Sequence, residues 1–499
     1  MTGPTHTREE WSDRAARLEP EGRAFIGGEH VESASGETFA SINPATGQTL
    51  VEVAAGDEED VERAVRAARR AFEGGEWSEA APEERKRVLL RLAELIREHG
   101  EEFGLLDSLD MGKPVEDAVG LDVPGAAGLF QWYAEAADKL YDEIAPTGPS
   151  DLALVTREPL GVIGAVVPWN YPLDLASWKV APALLAGNSV VLEPAEQSPL
   201  SAIRLAELGI EAGLPAGVLN VVPGLGETAG RALGLHADVD CIAFTGSTEV
   251  GKLFLRYSAE SNGKPVWLEC GGKSPNLIFA DAADLDRAAD MAAFGIFFNQ
   301  GEVCSANSRL LVQRPVKEEL LERLLERARA VRVGDPLDPE TTMGPVVDAE
   351  HAERVMEYIT AGREAGELRV GGNRVAVDGY DRCFIEPTVF DEVANDSQIA
   401  QEEIFGPVLA VLEFDDEDEA LRIANASRYG LAASIWTSNL GRAHRLARRL
   451  RAGTVSVNTV DAFSPQTPFG GFKSSGFGRD LSLHALDKYT GLKTTWIRI

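Results

Sequence analysis

GVIGAVVPWNYP, residues 161–172, opens the part of the sequence whose reading decides the fold. Its first seven residues are an apolar run without alternation, as in a strand buried on both faces. A helical run follows to Leu185, then SVVLE (189–193), a helix from Ser201 to Ala212, VLNVV (218–222), a helix after Gly226, and CIAFTG (241–246). Near-continuous Val/Ile/Leu strands separated by helices predict a parallel sheet covered on both faces, hence a doubly wound nucleotide-binding domain. FTGSTEVG (244–251) follows the last of these strands and opens a helix. Gly246 there lets backbone approach a ligand, and the amides of Ser247 and its neighbours face a phosphate at a helix N-terminus. GLGETAG (224–230) spaces its glycines as GxGxxxG, one residue longer than the dinucleotide fingerprint, and reads as a decoy.

Downstream, a second strand and helix alternation begins at VWLECGG (266–272) and PNLIF (275–279) and continues through a helix near Val316 to Val331, giving a second α/β domain. Upstream, Val61, Ala64, Val65 and Ala68 recur at helical spacing. Val88, Leu89, Leu92, Leu95 and Ile96 do the same between Pro82, an N1-type start, and a stop at Gly100. Residues 1 to about 20 lack apolar periodicity and are expected to be a loosely packed tail. LALV (152–155), after a Gly-Pro-Ser turn, and TTWIRI (494–499) are strand-like. The expected division is 1–140 and 160–267 for nucleotide binding, 268–480 for a catalytic domain, and 141–159 with 486–499 as a small β arm.

The 499 residues, 44% hydrophobic and 7% aromatic, suit a globular chain with more than one core. Eighty acidic residues against 48 basic ones give a net charge of −32, and lysine supplies only 11 of the basic residues. Nucleic acid and anionic membrane surfaces would be repelled. Self-repulsion of this size suggests a halophilic source, with stability rising toward molar KCl. The cysteines 241, 270, 304 and 383 form no CxxC pair, so a disulfide framework is not expected. No signal-like n-region and no 18-residue apolar run is present, so a cytoplasmic protein is expected. No ligand-spaced cluster of His, Cys, Asp or Glu points to a metal.

FFNQGEVCSANSR (297–309) sets Cys304 among small residues, so that a reacting carbon can be seated against the sulfur. A lone cysteine is more often a small buried hydrophobe. Five further motifs outweigh that: PWNYP (168–172), FTGSTEVG (244–251), LECGGKSP (268–275), EEIFGPV (402–408) and PFGGFKSSGFGR (468–479). In this order, around Cys304, they resemble the aldehyde dehydrogenase superfamily from about Phe25 to the C-terminus. EGRAFIGGE (21–29), WYAEAADKLY (132–141) and GRDLSLHALDKYTGLKTTWI (478–497) look most like its aminoaldehyde branch, the γ-glutamylaminobutyraldehyde dehydrogenases.

The resemblance implies NAD-dependent oxidation of a small-molecule aldehyde to a carboxylate through a thiohemiacetal and thioester on Cys304. It implies an oxyanion hole from Asn170 and the Cys304 amide, worth about 100-fold or more in rate, and Glu269 as general base for water. Lys179 matches a family lysine near the cofactor ribose, Ser247 sits by the pyrophosphate, Gly224 near the adenine, and Glu403 with Phe405 at the nicotinamide riboside. Trp169 holds the PWNYP turn at the cofactor. Tyr171, Trp178, Phe298, Phe463 and Phe469 could wall the substrate end, with Asn458 nearby and Asp461 as a negative group for an amine. The arm implies a homodimer or homotetramer.

Two departures from the family pattern concern charge. Glu193 stands where the family usually has lysine. With Glu196 it would flank the adenosine ribose, accepting from its hydroxyls and repelling a 2′-phosphate, so NAD is expected over NADP. Glu302 replaces a glutamine two residues before the thiol and, if unpaired, would raise the pKa of Cys304. Cys270 replaces a usual leucine beside Glu269. The competing functions are a betaine-aldehyde or general aliphatic aldehyde dehydrogenase, a CoA-acylating semialdehyde dehydrogenase, disfavoured by Glu269, and a non-catalytic scaffold.

Overall fold

The structure is a computed structural model that describes residues 6–499. Five parallel strands form the centre of an eight-stranded sheet, in the order Leu219–Val221, Ser189–Pro194, Val162–Val167, Cys241–Gly246, Val266–Cys270. The order of winding reverses between Val162–Val167 and Cys241–Gly246, and ligands of doubly wound sheets bind outside the strand carboxyl ends at such a reversal. Helix Glu58–Glu73, capped by Asp57, presses Val61, Ala64, Val65 and Ala68 onto one face of this sheet. Helices Pro82–Glu98, Val123–Ala136 and Pro172–Leu185 cover the other. Each fully buried Leu or Val side chain contributes about 1.5–3 kcal/mol.

Two expectations are corrected by the packing. The strand Val266–Cys270, read above as opening the second domain, pairs in the first sheet, with Thr245 opposite Glu269. Gly476–Phe477 returns to pair along its other edge. A strand buried on both faces carries the same apolar signature in either sheet, and only pairing tells the two apart. Within the expected N-terminal tail, Arg8–Ala15 is a helix with a Thr7/Glu10 capping box. Trp11 is fully buried there against Leu105 and Val115, and its indole donates to Glu116 at 3.0 Å. One aromatic residue anchors a segment too short and polar to show periodicity.

The second sheet has seven strands and is parallel except at the Glu367–Val370 edge; its central strands Pro275–Ile278 and Arg309–Gln313 flank the loop of Cys304. Glu143–Ala145, Asp151–Pro159 and Thr490–Arg498 form a separate antiparallel ribbon. No helix among the described residues is long and apolar enough to cross a membrane.

Candidate active site

Cys304 lies in the loop between helix Leu285–Phe297 and strand Arg309–Gln313. Three successive residues before it, Asn299, Gln300 and Gly301, have φ of 49°, 58° and 73°. Left-handed backbone costs a non-glycine residue roughly 1–2 kcal/mol, and side-chain amides offset that cost here. Asn299 Nδ2 donates to the carbonyls of Asn170 (3.1 Å) and Glu302 (3.2 Å), and Asn170 Nδ2 donates to Glu302 O at 2.8 Å. The PWNYP loop and the cysteine loop are thereby stitched together. Asn170 keeps one amide hydrogen for another acceptor.

Two cavities meet at this stitch. One, about 710 Å³, lies at the reversal point of the first sheet; the other, about 300 Å³, lies between Trp178, Phe298, Phe463 and Phe469. Asn170, Leu175, Glu269 and Cys304 line both. The thiol is partly accessible, and its pKa is pushed well up by burial, with Glu269, Asp461 and Glu403 adding to the rise. Glu269 is 5% exposed, and its Oε1 has no hydrogen-bond partner. Burial pushes its pKa up to about 8, against the pull of Lys179. Both groups line the junction, and burial favours the neutral form of each.

The glycine pair of LECGG has a steric reason. A Cβ on Gly271 would stand 1.8 Å from Glu403 Oε2, and one on Gly272 would stand 2.4 Å from the Cys304 carbonyl. Without side chains there, the strand end fits between the EEIFGP loop and the cysteine loop. Glu403 Oε1 accepts from the Gly272 amide at 3.0 Å.

The large cavity collects most of the expected cofactor residues: Trp169, Glu193, Glu196, Gly246, Ser247, Glu403 and Phe405. Phe405, at φ 60°, packs edge-on to Trp169 at 5.2 Å. Ser247 caps the helix Thr248–Glu260. Burial pushes the Glu193 pKa up to about 8, and Glu196 and Glu227 add to the rise. This volume falls within the roughly 300–1,000 Å³ of small-molecule sites. The helix start and the unpartnered Thr245 Oγ1 and Glu269 Oε1 give a dinucleotide polar positions to meet.

Two expected cofactor residues stand elsewhere. Gly224 is outside the cavity, packed on Gly56, where a Cβ would meet the Gly56 carbonyl at 2.6 Å; the supposed decoy contributes Gly226, Glu227 and Gly230 to the wall instead. Lys179 lines neither cavity and is 1% exposed, with its ammonium 2.6 Å from Asp480 Oδ2. Its carboxylate partner holds it in the interior, where its charge pulls the Glu269 pKa down. Glu302 is fully buried but turned from the thiol: Oε1 accepts from Val347 N at 3.0 Å and Oε2 from Gln300 at 3.4 Å. It is paired, and the largest causes of the Cys304 rise are burial, Glu269, Asp461 and Glu403.

The expected substrate residues Tyr171, Trp178, Phe298, Asp461 and Phe469 all line the smaller cavity. Asp461 accepts from Ser305 Oγ at 2.6 Å. Sequence reasoning missed Asp122 and Asp174 in the same wall. Asp122 pairs with the buried Lys113, which also lies 3.5 Å from the centre of the Tyr171 ring; Asp174 accepts from the Trp178 indole at 3.1 Å. Asp122 ends a π-helical turn, Ala118–Asp122, and a second such turn, Gly226–Gly230, faces the other cavity. Such turns often mark functional sites but leave no clear trace in sequence.

A doubly wound sheet whose switch-point cleft opens onto a second cavity is the architecture of a dinucleotide-dependent enzyme. The sequence model of the aldehyde dehydrogenase family matches residues 30–495, and the chain belongs to that family. It is 51% identical over 489 residues to "NADP/NAD-dependent aldehyde dehydrogenase PuuC" of Escherichia coli (strain K12), covering 98% of each chain. Among solved structures it is similar to gamma-glutamyl-gamma-aminobutyraldehyde dehydrogenase from Burkholderia cenocepacia J2315, with TM-score 0.97, 56% identity, and 99% of this chain and 100% of that one covered. It is also similar to the AldA indole-3-acetaldehyde dehydrogenase of P. syringae in complex with NAD+, with TM-score 0.98, 55% identity, and 99% and 100% covered.

Proposed function

We propose that this protein is an NAD-dependent aldehyde dehydrogenase that oxidises an aminoaldehyde to its carboxylate, with Cys304 as nucleophile and Glu269 as base. The reading rests on the junction: among the described residues, the polar side chains common to the two cavities are those of Asn170, Glu269 and Cys304. Glu403, Phe405, Trp169 and Ser247 would hold the dinucleotide in the large cavity. The Cys304 thiol gives up its proton to solvent, sulfur bonds to the aldehyde carbon, and the carbonyl electron pair moves to oxygen, where the remaining Asn170 hydrogen and the Cys304 amide receive it. NAD, when bound, supplies the hydride acceptor that converts this adduct to an acyl thioester. Water then attacks the thioester, Glu269 accepts its proton, and the thiolate leaves as the carboxylate forms.

Asp174 and Asp461 in the smaller cavity favour a substrate carrying an ammonium group. Trp178, Phe463 and Phe469, packed edge-on at 5.3–5.9 Å, favour an aryl aldehyde as the second reading. Catalytic efficiencies for an aminoaldehyde, an aliphatic aldehyde and an arylacetaldehyde decide between them. Asp461→Asn should lower kcat/KM for the aminoaldehyde alone by about tenfold. An equal loss for all three would sink the ammonium assignment.

NAD is preferred over NADP in this reading, because Glu193, Glu196 and Glu227 crowd one wall of the cleft. Assembly through the ribbon is supported by its exposed Ile144, Leu492 and Trp496. Light scattering should give a dimer or tetramer that Trp496→Glu weakens. A halophilic source is supported by the net charge of −32, and a melting temperature that fell steadily toward molar KCl would contradict it.

A further inference from the structure

Three buried charges form a chain whose field reaches Glu269. Asp480 receives two ammonium groups, Lys179 on Oδ2 at 2.6 Å and Lys488 on Oδ1. The three residues are 1%, 2% and 4% exposed for Lys179, Asp480 and Lys488. Two cations on one carboxylate leave a surplus positive charge in the interior, and an uncompensated buried charge is costly. Around Lys488 the facing groups are Asp480, Lys179 and the Cys241 thiol, with the Tyr489 ring at 5.4 Å. Around Glu269 they are Lys179, Asp480, Glu403 and Lys488 on the chain's other elements, and the thiols of Cys270 and Cys304 in turn feel Glu269. Glu403 is occupied by the Gly272 amide. Glu269, with Oε1 unpartnered, is therefore the carboxyl whose ionisation brings the buried group of four to zero net charge.

We propose that Lys488 is a positioning residue: by sharing Asp480 with Lys179, it leaves the pull of the Lys179 charge on Glu269 uncancelled and holds that carboxyl ready to ionise for water activation. If Lys488 were absent, Asp480 would cancel Lys179 and an ionised Glu269 would be buried without compensation. The inference rests on the reading of Glu269 as the base, and the two are tested apart.

The measurement is the pH profile of steady-state turnover beside the amplitude of the first-turnover NADH burst, in Lys488→Met, Lys488→Arg, Asp480→Asn and Glu269→Gln. Lys488→Met should move the rising limb up by about one pH unit and lower kcat at pH 7 about tenfold, with burst amplitude retained. Burial itself strips the Lys488 proton near pH 8, so the variant and the parent should converge at higher pH. Lys488→Arg should restore the parent profile below pH 8. Asp480→Asn, an independent variant should the first not fold, should move the limb the opposite way, since Asp480 raises the Glu269 pKa. A uniform loss at every pH in Lys488→Met, or an unmoved limb, would overturn the inference. A limb that persists in Glu269→Gln would instead overturn the base assignment on which it rests.

Discussion

Replacing Gly271 with alanine should detach Glu403 without touching a reacting atom. The new Cβ would lie 1.8 Å from Glu403 Oε2, 2.3 Å from its Cδ and 2.4 Å from Oε1. The carboxyl must retreat by about 1.5 Å to regain ordinary van der Waals separation, and so loses the Gly272 amide that it holds at 3.0 Å. A hydrogen bond to a charged group contributes about 1.5–3 kcal/mol, so NAD should bind roughly 10- to 150-fold more weakly. Titration of intrinsic fluorescence with NAD measures this directly, with circular dichroism to show an unchanged fold. Glu403→Gln, which keeps the shape and removes the charge, should weaken binding less. A folded Gly271→Ala enzyme with parental affinity for NAD would refute the role given to Glu403 and the steric reason for the glycine.

Glu269 acts only when ionised and its pKa lies at about 8, so turnover limited by thioester hydrolysis should rise about tenfold per pH unit from pH 6 and level off above pH 8. A flat profile across that range would mean another group activates the water. Glu193→Lys removes a carboxyl from a crowded acidic wall and should shift the kcat/KM ratio toward NADP by about tenfold or more; an unchanged ratio would mean that Glu193 does not face the ribose 2′ position.

Both sheets were legible in the sequence because apolar strands with turn-like ends announce themselves locally. Sheet membership was not: Val266–Cys270 looks the same in either sheet, and its partner Cys241–Gly246 lies across an intervening helix. The junction residues were legible because Asn170, Glu269 and Cys304 each sit in a distinctive motif. The buried partners were not. Asp480 directly follows PFGGFKSSGFGR, a stretch quoted only for its resemblance, and Lys488 looks like any polar residue near a C-terminus until Asp480 is found beside it. The ion pair of Lys179 was hidden for the same reason, because a motif gives a residue but not its ion-pair partner. Glu302 looked like a threat to the thiol because sequence distance suggested contact, whereas the left-handed turn before it points its carboxyl at Val347.

The central claim is that Cys304 carries the acyl group and Glu269 releases it, and rapid mixing of Glu269→Gln with NAD and an aminoaldehyde, followed by mass spectrometry, tests it most directly. The thiol attacks before hydride transfer and the water attacks after it. This variant should therefore give a burst of NADH approaching one per subunit, then near silence, with the acyl mass on the peptide that contains Cys304, while Cys304→Ala gives neither burst nor label. A Glu269→Gln enzyme with no burst would mean that the carboxyl is indispensable for activating the thiol. Carboxylate formed by Cys304→Ala at a substantial fraction of the parental rate would contradict covalent catalysis altogether.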